Sequence, residues 1–169
     1  MRVGLQALMK SASDCWGTPA HVYQTLDAEF HFDFDPCPLH GTEDGTATLF
    51  VPWKGKRVYC NPPYGPGLRP FLERAWEADV AVFLIPARTD TRWFHEIVLT
   101  TASEIRFIKG RLKFGDAQNL APFPSMIVVF EKGAGMIPMH KLPSERNETN
   151  GGLNHPRKII VDQLADSMQ

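Results

Sequence analysis

Six consecutive apolar residues, Val80-Ala81-Val82-Phe83-Leu84-Ile85, form a run with no polar member to face water. A run of that length suits a strand buried on both faces, in a sheet with helices above and below it. Upstream, Leu68, Phe71, Leu72, Ala75 and Trp76 recur at helical spacing, and before them stands a strand-sized run, Arg57-Val58-Tyr59-Cys60. Strand, helix, strand is the order of a βαβ unit. Downstream, the pattern predicts a helix over about residues 91–99, a strand over 104–108 and a last strand over 125–131. The expected fold class is therefore α/β, with a doubly wound, mostly parallel sheet carrying an antiparallel hairpin at its end.

The chain before this unit reads less regularly. Thr18-Pro19 predicts a helix start, with threonine as N-cap and proline at the first helical position, and Val22, Leu26 and Phe30 fall on one face of the helix that follows. Phe30, Phe32 and Phe34 alternate with His31, Asp33 and Asp35, a period of two that predicts a short strand ending in acidic residues. Residues 36–52 are rich in turn formers. With 169 residues, one domain over 1–132 is expected, followed by a mobile Gly-, Pro-, Asn- and charge-rich tail over 133–169 with a short helix near Val161.

Bulk charge narrows the partners. The formal net charge is −1, so the chain as a whole does not attract nucleic acid, and contact with it must come from a local patch. Arg106-Phe107-Ile108-Lys109-Gly110-Arg111-Leu112-Lys113 is the candidate, with a solvated hairpin edge as the competing reading. Cys15, Cys37 and Cys60 are scattered without a C-x-x-C pair, which argues against a zinc site or a disulfide framework, and no metal is expected. Neither a signal peptide nor an apolar stretch of membrane-spanning length is visible, so the expected location is cytoplasmic, with no membrane partner. An oligomer is left open.

The chemistry centres on Asn61-Pro62-Pro63-Tyr64, which follows the Arg57–Cys60 run where two prolines end sheet pairing. Ligands of open α/β sheets bind beyond the carboxyl ends of the strands, where Asp33, Asp35 and Asn61 are all expected. The Asn61 side-chain oxygen and the Pro62 carbonyl each suit one hydrogen of a conjugated amino group, drawing its delocalised lone pair toward tetrahedral geometry. The stiffness of Pro62 holds its carbonyl in place, and Tyr64 supplies a flat surface for a base.

These segments, in this order, resemble the small phage-type, Dam-like DNA N6-adenine methyltransferases. The resemblance spans roughly Trp16 to Phe130. It rests on Trp16-Gly17-Thr18-Pro19, Leu26-Asp27-Ala28-Glu29-Phe30, Phe32-Asp33-Phe34-Asp35-Pro36-Cys37, Trp53, Cys60-Asn61-Pro62-Pro63-Tyr64, Leu84-Ile85-Pro86-Ala87-Arg88-Thr89-Asp90-Thr91, Trp93-Phe94-His95, and Gly110-Arg111-Leu112 with Phe114. It implies a Rossmann-like methyltransferase fold, S-adenosylmethionine as cofactor, and double-stranded DNA as partner. A phage-encoded enzyme would work in the host cytoplasm. The resemblance also implies Asn61, Pro62, Pro63 and Tyr64 as the catalytic motif. Trp16, Thr18, Pro19, Asp33, Asp35, Cys37 and Asn61 become candidates for the cofactor, and Arg88, Trp93, Arg111, Lys113 and Phe114 for DNA. Asp35-Pro36-Cys37-Pro38-Leu39-His40-Gly41 stands where larger methyltransferases carry a Gly-x-Gly turn.

Asn-Pro-Pro-Tyr also serves enzymes that methylate glutamine side chains of proteins, whose amide nitrogen is similarly conjugated. An inactive nucleotide-binding α/β module is a third reading.

Overall fold

The computed structural model describes residues 17–38, 50–115 and 117–137. Trp16 and the predicted tail beyond residue 137 lie outside the described residues, as does most of the loop over 36–52. The elements are α1 (Ala20–Phe30), β1 (Arg57–Cys60), α2 (Leu68–Leu72), β2 (Val80–Pro86), α3 (Leu99–Thr101), β3 (Glu104–Phe107) and β4 (Ser125–Glu131). A π-helical turn, Phe94–Val98, leads into α3. Single 3₁₀ turns at Gly65–Gly67 and Ala75–Glu77 flank α2.

The four strands form one mixed sheet in the order β1-β2-β4-β3. β1 and β2 are parallel, while β4 runs antiparallel to both its neighbours, β2 and β3. The expectation of a mostly parallel sheet is corrected here, since two of its three strand pairings are antiparallel, while the antiparallel pair expected at the sheet's end is present as β3 and β4. β4 is inserted between β2 and β3 and pairs with both. Full pairing over seven residues, from Val80↔Glu131 to Pro86↔Ser125, is what that insertion achieves for β2.

Alternation sorts the strands into two cores. Val58, Cys60, Ala81, Phe83, Ile85, Met126, Val128 and Phe130 face one layer with α2 and the π-turn residues Phe94 and Val98. Tyr59, Val80, Val82, Leu84, Ile127 and Val129 face the other, under α1 residues Val22, Leu26 and Phe30. Every residue of β2 is buried, as its unbroken apolar run predicts.

Three local expectations change. Trp76 is 75% exposed rather than part of the buried stripe, because α2 stops at Leu72 and the next turn tightens to 3₁₀, which shifts the helical phase. Thr18 is not the N-cap of α1; Pro19 holds that position with no side-chain capping bond. The predicted strand through Phe30, Phe32 and Phe34 shrinks to one parallel bridge, Phe34↔Val58. Phe30 is the last residue of α1, and His31 then turns the chain in the left-handed region (φ 52°), its N–H donating to the Asp27 carbonyl. The Asp27 carboxylate accepts the Phe32 N–H at 2.9 Å and stabilises that turn.

The predicted tail begins with Gly133, and at Ile137 its N–H donates to the Ala102 carbonyl. Among the described residues no helix is long and apolar enough to cross a membrane, and no group of three or more His, Cys, Asp or Glu is placed to hold a metal ion.

Candidate active site

β1 and β2 run the same way, and Phe34 joins the free edge of β1 in parallel, so their carboxyl ends share one end of the sheet. Asn61 leaves β1 there. Its side chain is 94% buried, and a buried primary amide must find partners for both ends. Asn61 Nδ2 donates to Thr18 Oγ1 at 3.1 Å, and Asn61 Oδ1 accepts from the Tyr64 hydroxyl at 2.9 Å. Thr18 Oγ1 in turn lies 2.7 Å from the Tyr59 hydroxyl. Burial raises the pKa of both phenols well above the ordinary tyrosine value, so both remain protonated. Pro62 is buried and Pro63 half-buried. Gly65 serves the turn after the motif through its left-handed backbone (φ 84°), and Gly67 through close packing, since a Cβ there would sit 3.3 Å from Pro63 Cβ.

Asp33 and Asp35 part company. The Asp33 carboxylate accepts the Arg57 N–H at 3.0 Å, while the Asp33 N–H donates to the Arg57 carbonyl at 2.9 Å. That exchange pins the chain to the start of β1. Asp35 lies further along, at the end the strands share, and accepts the Cys37 N–H at 2.7 Å. Burial pushes its pKa up to about 6, opposed only in part by that hydrogen bond. The Cys37 and Cys60 sulfurs are 4.0 Å apart, which brings the Asp35 turn against the strand end that carries Asn61.

Aromatic rings enclose the motif on the side of α1. Tyr64 meets Phe123 edge-on at 5.4 Å and Phe114 at 6.2 Å. Phe114 is only 2% exposed, so it is a wall of this cage rather than a free face for a base; Phe123 is half-buried. A hollow of about 260 Å³ between Phe114, Leu120 and Phe123 adjoins the cage, and no residue of the Asn61 motif lines it. The loop that carries these rings is tied down where Gly115, at φ 48°, donates its N–H to the Gly17 carbonyl at 2.7 Å.

The residues predicted to meet DNA differ in exposure. Arg88, Arg111 and Lys113 are exposed, and Trp93 is half-buried against the first core. Arg106 does not join them. It is paired with Glu29 at 2.6 Å and Glu104 at 2.7 Å and lies over the Phe30 ring, so the basic stretch reduces to Lys109, Arg111 and Lys113.

Two residues were not singled out by sequence. Tyr59 sits inside an apolar run, where its hydroxyl gives no signal; only its place two residues before Asn61, on the same face of the strand, could have marked it. Phe123 lies in an irregular segment without periodicity.

Comparison with known proteins adds one positive result. A model of the family DNA N-6-adenine-methyltransferase (Dam) matches residues 6–148, most of the chain. No curated protein and no solved structure matches.

Proposed function

The chain belongs to the Dam family of DNA N-6-adenine-methyltransferases, and from that membership we propose that Asn61, Pro62, Pro63 and Tyr64 are its catalytic motif, acting on an adenine taken out of double-stranded DNA. The family's reaction is methylation of the adenine N6 amino group in DNA, which decides for DNA among the readings that Asn-Pro-Pro-Tyr alone leaves open. The observation that carries the site is Asn61, a buried amide at the carboxyl end of β1 whose oxygen faces Tyr64.

Membership in a methyltransferase family implies S-adenosylmethionine. The donor set fits it: a part-buried carboxylate, Asp35, lies in the turn that Cys37 packs against Cys60, the residue before Asn61, with one oxygen on Cys37 N–H and a second oxygen whose chemistry suits ribose hydroxyls. Asp35, Cys37 and Pro19, with Trp16 preceding them in the chain, are the residues we assign to holding it. Asp33 supports them by fixing the register with Arg57. When bound, the cofactor supplies a methyl group on a sulfonium. Everything else is the work of side chains and backbone. The Asn61 oxygen and the Pro62 carbonyl accept the two amino hydrogens, localise the nitrogen lone pair and aim it for in-line attack. Tyr64 offers its ring to the base, with Phe123 as the neighbouring wall. The proton lost after transfer passes to water. Arg88, Trp93, Arg111 and Lys113 meet the DNA, the cations at phosphates.

The sheet supports a Rossmann-like methyltransferase fold: it is covered on both faces, and the polar residues gather at one strand end. Residues 1–132 then form one catalytic domain with residues 133–169 as its appendage.

Transfer of tritiated methyl groups from the cofactor to unmethylated duplex DNA tests the reading. Wild-type protein should label DNA, with the label recovered as N6-methyladenine, and Asn61→Ala should abolish labelling while still binding cofactor. Undiminished transfer by Asn61→Ala would overturn the assignment.

A further inference from the structure

Thr18 reaches the catalytic motif from a distant part of the chain, and its hydroxyl is not used to start α1. We infer that Thr18, held by Tyr59, is a positioning residue for Asn61: it receives the amide nitrogen and so turns the amide oxygen toward the substrate amine. The inference rests on the reading of Asn61 as the acceptor of an adenine amino hydrogen.

The geometry is a chain of three contacts. Tyr59 and Asn61 are two residues apart on β1 and its extension, so their side chains project to one side, where Thr18 Oγ1 lies 2.7 Å from the Tyr59 hydroxyl and 3.1 Å from Asn61 Nδ2. Asn61 Oδ1 is thereby left on the side of Tyr64. A primary amide is nearly symmetric in shape but opposite in polarity at its two ends. Rotated by half a turn, it would set its own N–H groups against those of the adenine amine, and the site could bind a base without activating it.

The contact also acts during the reaction. As the amine attacks the sulfonium, positive charge develops on its nitrogen and the hydrogen bond to Asn61 Oδ1 strengthens. The amide responds by drawing electron density from its nitrogen, which makes the Nδ2 hydrogen a stronger donor. An oxygen already placed to receive that hydrogen stabilises the polarised amide more in the transition state than in the resting state, so its contribution falls on kcat. Tyr59 keeps this oxygen in place. Its buried phenol stays protonated, and its ring is wedged between Tyr23 at 5.0 Å and Phe32 at 5.3 Å. The order of influence therefore runs from Tyr59 to Thr18 to Asn61, with only Asn61 touching the substrate.

The experiment compares Thr18→Val, Thr18→Ser and Tyr59→Phe in the full chain, reading kcat, KM for duplex DNA, cofactor affinity by calorimetry, and thermal unfolding. Thr18→Val should lower kcat about tenfold to a hundredfold, the size expected for depriving a buried donor of its acceptor, with cofactor affinity within about twofold of wild type. Thr18→Ser, which keeps the hydroxyl, should recover most of that loss. Tyr59→Phe keeps the ring and should lower kcat about threefold to tenfold, because Thr18 then loses only its anchor. If Thr18→Val is too unstable to assay, the Tyr59→Phe result decides, and an unchanged kcat there refutes the inference. Unchanged kcat in Thr18→Val with cofactor affinity down about tenfold or more would make Thr18 a cofactor contact instead. Equal losses in Thr18→Val and Thr18→Ser would also refute it, since the hydroxyl would then not be the active element. Asn61→Ala separates the two levels: if it is inactive while Thr18→Val keeps full kcat, only the positioning role falls, and if it is active the catalytic assignment falls with it.

Discussion

Replacing Asp35 with Asn should make the protein more stable and its cofactor binding weaker at the same time. Burial moves the Asp35 pKa from 3.8 to about 6, so at neutral pH the folded protein holds a carboxylate that would be more comfortable uncharged. At about 1.4 kcal/mol per pKa unit, that displacement corresponds to about 3 kcal/mol of instability above pH 6. Partial access to water lowers the realistic figure to about 1–2 kcal/mol. Asparagine removes the charge and retains an oxygen for the Cys37 N–H, so the turn survives. With a gain of that size, the melting temperature should rise by about 2–8 °C at pH 7.5. The pH dependence follows from the direction of the displacement. A carboxyl with a raised folded-state pKa binds its proton more readily in the folded protein, so wild-type stability improves as pH falls from about 6 toward 3.8. The advantage of Asp35→Asn should therefore shrink between pH 7.5 and pH 5. Binding moves the other way. A carboxylate accepting from cofactor hydroxyls contributes about 1.5–3 kcal/mol, so calorimetry at pH 7.5 should show affinity about tenfold to a hundredfold weaker. A variant less stable than wild type at pH 7.5, or a gain that persists undiminished at pH 5, would refute the account of Asp35. Unchanged cofactor affinity would refute its assigned role.

Phe114→Ala should cost about 3–5 kcal/mol in urea unfolding, because the ring is a buried wall between Tyr64 and Phe123; a cost below about 1 kcal/mol would show that it is not packed there. The pair Arg111→Ala with Lys113→Ala should weaken DNA binding and make the slope of log affinity against log salt shallower by about 1.8, two phosphate contacts' worth. An unchanged slope would remove both from the interface. Asn61→Ala should lose methyl transfer by at least about a thousandfold in the tritium assay while its melting temperature stays within a few degrees of wild type; transfer above that level would mean that another acceptor holds the amine.

Much of the scaffold was legible because its signals are local. The run Val80–Ile85 lies entirely in β2, Ser125–Glu131 is β4, and Val22, Leu26 and Phe30 are the buried face of α1. The failures have two causes, a local break in periodicity and a partner distant in sequence. The alternation of Phe30, Phe32 and Phe34 is genuine, but helix α1 claims Phe30, and the next residue, His31, is a turn. Thr18 before Pro19 has the chemistry of a helix cap, yet its hydroxyl finds Tyr59 and Asn61, more than forty residues on. Nothing local could show that β4 would enter between β2 and β3, or that Arg106, the first cation of a basic stretch, would be claimed by Glu29 from α1. Asn61 was legible because Pro62 and Pro63 end the strand wherever it lies, and so the motif carries its own position with it.

In the structure the Asn61 oxygen proposed to meet the substrate already accepts a hydrogen bond, from the hydroxyl of Tyr64. The active site is thus stored with a stand-in from its own motif. On the proposed reading, an incoming amine does not meet a bare acceptor. It exchanges the Tyr64 hydrogen bond for one of its own, beside the ring that is proposed to receive the base. Entry becomes a trade of places between tyrosine and nucleobase, and a base that offers no hydrogen at that point has nothing to give in return.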